Sequence, residues 1–553
     1  MSPILFLISI NNIGKSLEKE TNIGQFADDT GIARTFQPTN GFTSNKEEKM
    51  SSETNKLVKD IEDLGYTVNK PKTQGILFNS KNEWEIKVGD SKITTQKEVK
   101  NLGVTFDKHL KFKTHIQNRR KSAKSIINVI KIVKNKGGFK KKTHGLRTIY
   151  KGLLASTLYY GTEVMHDCDK VEMKKSDALM NEARRISTNA LKGTRIEAVN
   201  AFLGEFPPEM ERENTRLNFW ARKTTSKDNI AGQMLNDSKN TAKRSKKYGT
   251  VGLARNIRSK LNELQIKESD TNNTEAFSNQ IDWPEINIDT ELSKIFSKKE
   301  DSPEFMKRET ISHIRTRYDE HVEIYTDGSK CENPQAKELD EDNVMREDHL
   351  VGAGVYAKDP NINLELRITN NTAIATAEMI GIEYALRQIN DKLRSSDDNA
   401  IKTKKKCVIL TDSLSALQAI ETDEYTNSRY DIISRIRETH NEIHKLGVDV
   451  SLAWIPSHTD IEGNEAADRL AKSATSHRTV DIDCKLGNTE LKALIKQRRK
   501  IIYDREWKKS DCFTRRLIPT IKHPKIPMGG KYEKRTRLIL NNPIWKAKNR
   551  KKY

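Results

Sequence analysis

Two apolar runs that each end on an aspartate constrain this chain more than any other feature. His321–Lys330 reads HVEIYTDGSK: an apolar strand runs into Asp327 and a glycine turn follows. About 85 residues later KKCVILTDSLSAL ends a second apolar run on Asp412. An ionised carboxylate at the end of a buried strand is unfavourable unless something compensates its charge. A metal ion is the usual partner. Two such strands in one domain point to a shared metal site, and so to chemistry at phosphorus.

The segment around them, 321–476, alternates strand and helix signals. Strands are expected at 322–327, Gly352–Lys358, Leu364–Thr369, Cys407–Asp412 and Val448–Pro456. Helices are expected at 372–391, after Asp412, at about 430–446 and at 463–474. Three strands close in sequence followed by two reached through helical crossovers predict an α/β fold: a mixed five-stranded sheet with helices on its faces. The acidic loop 331–350 reads as a mobile insertion.

Ligands of α/β sheets bind at the carboxyl ends of the strands, where Asp327 and Asp412 are expected. In the helix 372–391, Glu378 shares a stripe with Ile374, Gly381, Ile382 and Ala385, the face that packs on the sheet. The small residues Ala377 and Gly381 leave room for close approach. In the last helix Asp468 shares a face with Asn464 and Ala471, and the loop before it carries His458. Four carboxylates thus converge on one edge. They cannot all stay ionised without cations. Oxygen ligands with no cysteine select Mg²⁺ or Mn²⁺ over Zn²⁺. Two such ions, one activating water and one stabilising the leaving oxygen, suit in-line displacement. Bland alternatives exist for each residue: Asp327 as a turn former, Asp412 as a helix cap, Asp468 as the partner of Arg469 or Lys472, His458 as a plain polar contact.

The set TDGS, AE within an amphipathic helix, TDS and H-x5-N-E-x2-D resembles type 1 ribonuclease H over about 155 residues. The resemblance implies cleavage of the RNA strand of an RNA–DNA hybrid. It implies metal ligation by Asp327, Glu378, Asp412 and Asp468, and assistance by His458 in water activation or product release. A strand-transferase of the same broad fold, the DDE transposase type, is a rival. The Glu378 helix directly after three strands favours ribonuclease H.

Near the start, GlnPheAlaAspAspThr (25–30) places Asp28 and Asp29 between short β-like runs. With SPILFLISINNI before it, and GYTVNKPKTQGILF and VKNLGVTFDKHLKFKTHI after it, this resembles the palm of jockey-like non-LTR retrotransposon reverse transcriptases. Phe26–Asp29 matches the F/Y-x-D-D box. Asn69 with Lys72 and Thr73 fits the next motif, and Leu102–Gly103 with Asp107 the one after. The resemblance implies a partial palm over 1–116 and a helical thumb and connection over 117–222, including AFLGEFPPE. A polar linker then fills 223–320, the ribonuclease H domain 321–476, and a basic tail 477–553. The fingers and the other catalytic aspartate are missing, and Asn12 stands where the family has Asp. The expectation is a truncated polymerase that does not polymerise DNA by itself. A non-catalytic nucleic-acid-binding remnant is the alternative.

Composition agrees. The net charge of +21, from 98 Lys+Arg against 77 Asp+Glu, is an electrostatic footprint suited to nucleic acid. The five cysteines lie far apart with no CxxC pair, so neither a zinc ribbon nor a disulfide framework is indicated. The apolar run Pro3–Ile10 lacks a basic flank and a cleavage site, and is too short to span a bilayer. No membrane role and an intracellular location, nucleus or cytoplasm, are expected.

Overall fold

A computed structural model describes residues 3–36, 43–80, 82–136, 142–224, 249–267, 284–296, 301–334, 348–395, 400–422, 429–516 and 518–520. These fall into two compact units, Met1–Val199 and Asn200–Lys525. No helix among the described residues is long and apolar enough to cross a membrane.

The first unit begins with helix α1 (Pro3–Ile10) and the hairpin β1 (Thr21–Phe26) and β2 (Asp29–Arg34). Helix α2 (Thr43–Asp63) and two further hairpins follow, β3 (Glu85–Val88) with β4 (Ser91–Thr94) and β5 (Glu98–Asn101) with β6 (Val104–Asp107). A helical part comes next: α3 (Lys113–Lys136), α4 (Lys142–Ile149) and α5 (Lys170–Thr188). Ile127 and Ile130 of α3 are buried against Leu146, Tyr150, Leu154 and Met180.

The second unit contains α6 (Pro208–Thr224), α7 (Gly249–Glu263), β7 (Asn287–Asp289), α8 (Pro303–Tyr318), β8 (Val322–Glu332), β9 (His349–Ala357), β10 (Ile362–Ile368), α9 (Ile374–Arg394), β11 (Lys406–Thr411), α10 (Leu414–Thr422), α11 (Tyr430–Lys445), β12 (Asp449–Trp454), α12 (Glu462–Ala474) and α13 (Asn488–Lys509). The strands form one mixed sheet in the order β10-β9-β8-β11-β12-β7. Pairing is antiparallel from β10 to β8 and parallel from β8 to β7. The α/β class is the one expected, a mixed sheet with helices on its faces.

Alternation along the strands builds two cores. Val322, Ile324, Cys407, Ile409 and Leu452 pack beneath α9 and α11, against Ile380, Ile389, Ile436 and Ile443. Tyr325, Val408, Leu410 and Ala453 point to the opposite face, against Ile314 and Tyr318 of α8 and Ala467 of α12.

Four differences from the sequence reading bear on the site. The sheet has six strands, because Asn287–Asp289 adds a parallel strand beside β12. Three residues with one apolar side chain among them carry too short a pattern to register as a strand, and they lie in what reads as linker. Second, Gly328 does not turn the chain. β8 continues to Glu332, because β9 pairs with it through Asp327↔Gly354, Gly328↔Ala353 and on to Glu332↔His349. Third, β9 begins at His349, so the acidic loop is shorter than expected, and 335–347 lie outside the described residues. Fourth, the segment read as a basic tail contains the 22-residue helix α13. Its Leu491, Leu494 and Ile495 are buried against Leu217 and Trp220 of α6 and Ile257 and Leu261 of α7. The final KNRKKY lies outside the described residues.

Candidate metal centre at the end of the parallel ladder

The parallel ladder between β8 and β11 ends on the pair Thr326↔Thr411. The next residue on each strand is an aspartate, so the register alone sets Asp327 and Asp412 side by side. Asp327 sits within β8 rather than at its end, yet at the point where β8 loses its β11 neighbour. The Asp412 backbone is held in place by Trp454, whose indole Nε1–H donates to the Asp412 carbonyl at 3.0 Å. Trp454 reads from sequence as a core residue. It is buried, and it also fixes the strand end that presents Asp412.

Glu378 arrives from α9, on the stripe its spacing predicted, and is buried with Ala377 and Gly381. Gly328 makes this approach possible. A Cβ there would lie 3.1 Å from both the Glu378 carboxyl carbon and its backbone nitrogen. On the opposite face α12 lies against β9 at the same level. A Cβ on Gly354 would come within 2.2 Å of the Ala467 carbonyl oxygen. The two glycines let α9 close on β8 from one face and α12 close on the neighbouring β9 from the other.

Asp327, Glu378 and Asp412 each offer a carboxylate oxygen within 4.8 Å of the others. Asp327 and Glu378 are only 8% and 5% exposed; Asp412 is half-buried. Burial, then the neighbouring Asp412, raises the Asp327 carboxyl well above the usual aspartate range, although the Gly328 N–H donates to its Oδ1 at 2.8 Å. Burial also raises Glu378, followed by the charges of Asp327 and Asp412. The buried Glu378 Oε2 has no hydrogen-bond partner. A buried, unpartnered carboxylate oxygen beside two more carboxylates is a poor arrangement for protein alone. It fits a hard divalent cation, which takes oxygen ligands.

Asp468, on α12, is not one of this group of three. Its Oδ2 accepts from Lys472 Nζ at 2.6 Å, one turn along the helix. It still lies close enough to Asp327 to raise that group's proton affinity, after burial and Asp412. His458 is exposed in the loop between β12 and α12, in the left-handed region at φ +56°.

Asp28 and Asp29 are exposed at the tip of the β1–β2 hairpin, across a turn through Ala27 at φ +51°. Among the described residues neither belongs to a cluster of three metal-ligating groups. Asn69 and Asp107 both serve local turns. The Asn69 side chain accepts from the Lys72 N–H, and Asp107 accepts from the backbone N–H groups of His109 and Lys111.

Asp289, Glu291 and His313 form a second acidic group. Here Asp289 Oδ2 already accepts from the Tyr318 hydroxyl at 2.9 Å and sits 2.8 Å from His313 Nε2, with Arg317 also close by. This group ties α8 to β7, and both oxygens of its buried Asp289 are already taken by protein partners.

Comparison with known proteins places residues 319–476 in one family: they match the model described as RNase H. That stretch forms an RNase H domain within the longer chain. No curated protein matches the chain. Among solved structures it is similar to the N-terminal RNase H domain of a Mycobacterium tuberculosis protein, fused to maltose binding protein. There the identity is 18%, over 28% of this chain and 100% of that one, with a TM-score of 0.18. It is similar to RNase H1 of the archaeon Halobacterium salinarum at 22% identity, over 28% of this chain and 96% of that one, TM-score 0.18. A foamy viral protease-reverse transcriptase, solved in complex with an RNA/DNA hybrid, matches over 85% of this chain and 60% of its own, at 12% identity and a TM-score of 0.21.

Proposed function

We propose that the second unit is a divalent-metal-dependent ribonuclease that hydrolyses the RNA strand of RNA–DNA hybrids. The observation that carries this reading is the cluster Asp327, Glu378 and Asp412, within 4.8 Å of one another and with one buried oxygen unpartnered. In this reading these three hold the ion or ions, Mg²⁺ or in its place Mn²⁺, with Asp468 as a fourth ligand once it leaves Lys472. Bound metal would supply Lewis-acid charge at the scissile phosphate and a lowered proton affinity for the attacking water.

The chain's own residues do the rest. The β8–β11 register and the Gly328 approach fix the spacing of the ligands before substrate arrives. The exposed His458 sits on a loop beside α12, placed to carry a proton to or from solvent. The excess of basic residues supplies attraction for phosphate backbones. RNA is distinguished from DNA by its 2′-hydroxyls, displayed in the wide minor groove of an A-like duplex.

A retrotransposon origin for the chain rests on the Phe26–Asp29 box and its neighbouring motifs. The exposed position of Asp28 and Asp29 supports reading them as a polymerase remnant, and no polymerisation is assigned to them.

The test is direct. The full chain is incubated with labelled RNA–DNA hybrid, DNA duplex and RNA duplex in Mg²⁺. Cleavage confined to the RNA of the hybrid, abolished by chelation and by Asp412→Asn, is the expected result. Equal cutting of DNA duplex, or activity surviving Asp412→Asn, would sink the reading.

A further inference from the structure

The RNase H match ends at residue 476, but the structure carries on. Residues 481–485 run along β10, the edge strand of the sheet. The Arg367 N–H donates to Asp481 Oδ2 at 2.8 Å, the Thr369 N–H to the Ile482 carbonyl at 3.1 Å, and the Cys484 N–H to Thr369 Oγ1 at 2.9 Å. This strap delivers the start of α13, and with it Glu490, to the N-terminus of α9. That helix lacks a side-chain cap of its own, because its N-cap residue is Ala373. Glu490 supplies what is missing. The Ala373 N–H donates to Glu490 Oε1 at 2.8 Å. The other oxygen, Oε2, accepts from the Gly487 N–H at 2.7 Å and from Arg429 Nη1 at 2.9 Å.

Glu490 and Arg429 are each only 4% exposed. One buried carboxylate thus serves the N-termini of two helices, a location that favours negative charge. Arg429 offsets its burial and also donates to the Lys485 carbonyl at 2.7 Å, holding the strap. Glu378 lies five residues beyond the capped Ala373, little more than one helical turn.

We propose that Glu490 is a positioning residue for the metal centre. It pins the N-terminus of α9 and thereby fixes the height at which Glu378 meets Asp327 and Asp412. The working site then extends past the family match to the first turn of α13. The inference rests on reading the three carboxylates as a metal centre.

The test uses the full chain carrying Glu490→Ala, Glu490→Gln or Arg498→Met. Two quantities are measured: the Mg²⁺ concentration giving half the maximal thermal stabilisation, and the Mg²⁺ concentration giving half-maximal hybrid cleavage. Outer-shell partners of metal ligands typically contribute tenfold or more in affinity. Glu490→Ala is expected to raise both concentrations about tenfold. Glu490→Gln, which keeps one acceptor oxygen, gives a smaller rise and carries the test if the alanine variant does not fold. Arg498→Met breaks a different buried ion pair of α13, with Asp348 at 2.9 Å. It is expected to lower thermal stability without moving either half-saturation. Unchanged Mg²⁺ half-saturation in both Glu490 variants, or an equal rise in Arg498→Met, overturns the proposal. A wild-type chain that Mg²⁺ stabilises but that cuts no hybrid defeats the ribonuclease reading alone, and the stabilisation data still decide the role of Glu490. A wild-type chain that Mg²⁺ neither stabilises nor activates for hybrid cleavage defeats both.

Discussion

Asp327→Asn separates the electrostatics of the site from its chemistry. In the metal-free protein Asp327 is pushed up to about 7, by burial first and by Asp412 second, from an ordinary value of 3.8. Below pH 4 the folded and unfolded chains both hold this proton. Between about 4 and 7 the unfolded chain releases it while the folded chain retains it. The folded state then binds more protons, and its stability falls as pH rises. At 1.36 kcal/mol for each pH unit, a span of roughly three units amounts to about 4 kcal/mol lost by pH 7. Asparagine cannot ionise, and its side-chain oxygen can still accept from the Gly328 N–H. In chelator, Asp327→Asn should therefore match the wild type near pH 4 and exceed it by up to about 4 kcal/mol at pH 7.5. For a unit of this size that is roughly 10 °C in the melting temperature. Saturating Mg²⁺ should reverse the order, because it stabilises the wild type through a ligand the variant lacks. The assay is thermal unfolding from pH 4 to 8, with chelator and with Mg²⁺. A pH-independent difference between the two chains, or equal Mg²⁺ stabilisation of both, would refute the reasoning.

Two further outcomes follow from the packing and the loop. Gly328→Ala sets a methyl 3.1 Å from the Glu378 carboxyl, so Glu378 must give way. We expect a loss of about 1–3 kcal/mol in stability, seen in thermal melts, and a fall in hybrid cleavage larger than that loss accounts for. His458→Ala touches an exposed loop and should leave stability unchanged. If His458 moves protons, its loss slows single-turnover cleavage by about a hundredfold while hybrid affinity, read by fluorescence anisotropy, stays the same.

Legibility in the sequence followed the range of the interactions. The β8 and β11 runs, the inward stripe of Glu378 on α9 and the order of elements through α12 depend on local periodicity, which the chain displays openly. Asp327 within an unbroken strand was hidden. An Asp-Gly pair reads locally as a turn, and only pairing with β9 keeps it extended. Likewise α13 was hidden because Arg498 and Arg499 occupy inward positions. Hydropathy counts them as solvent-facing, whereas the fold buries Arg498 against Asp348, 150 residues away in sequence. The Lys472 pairing of Asp468 was among the foreseen alternatives, and the choice between it and Asp327 lies in geometry that spacing cannot convey.

The short strand β7 governs the order in which this unit can assemble. Asn287 hydrogen-bonds Ser451 across 164 residues of chain. During synthesis β7 emerges long before β12, its one strand neighbour among the described residues, and its backbone groups stay wet until nearly the whole sheet has been made. A parallel pairing of such separation closes late and slowly. The carboxylates follow the same schedule, with Asp327 made first and Glu490 last. The unit therefore spends most of its synthesis as an incomplete sheet, and nascent chains paused before Glu490 would hold all four acidic residues with the α9 N-terminus still unpinned.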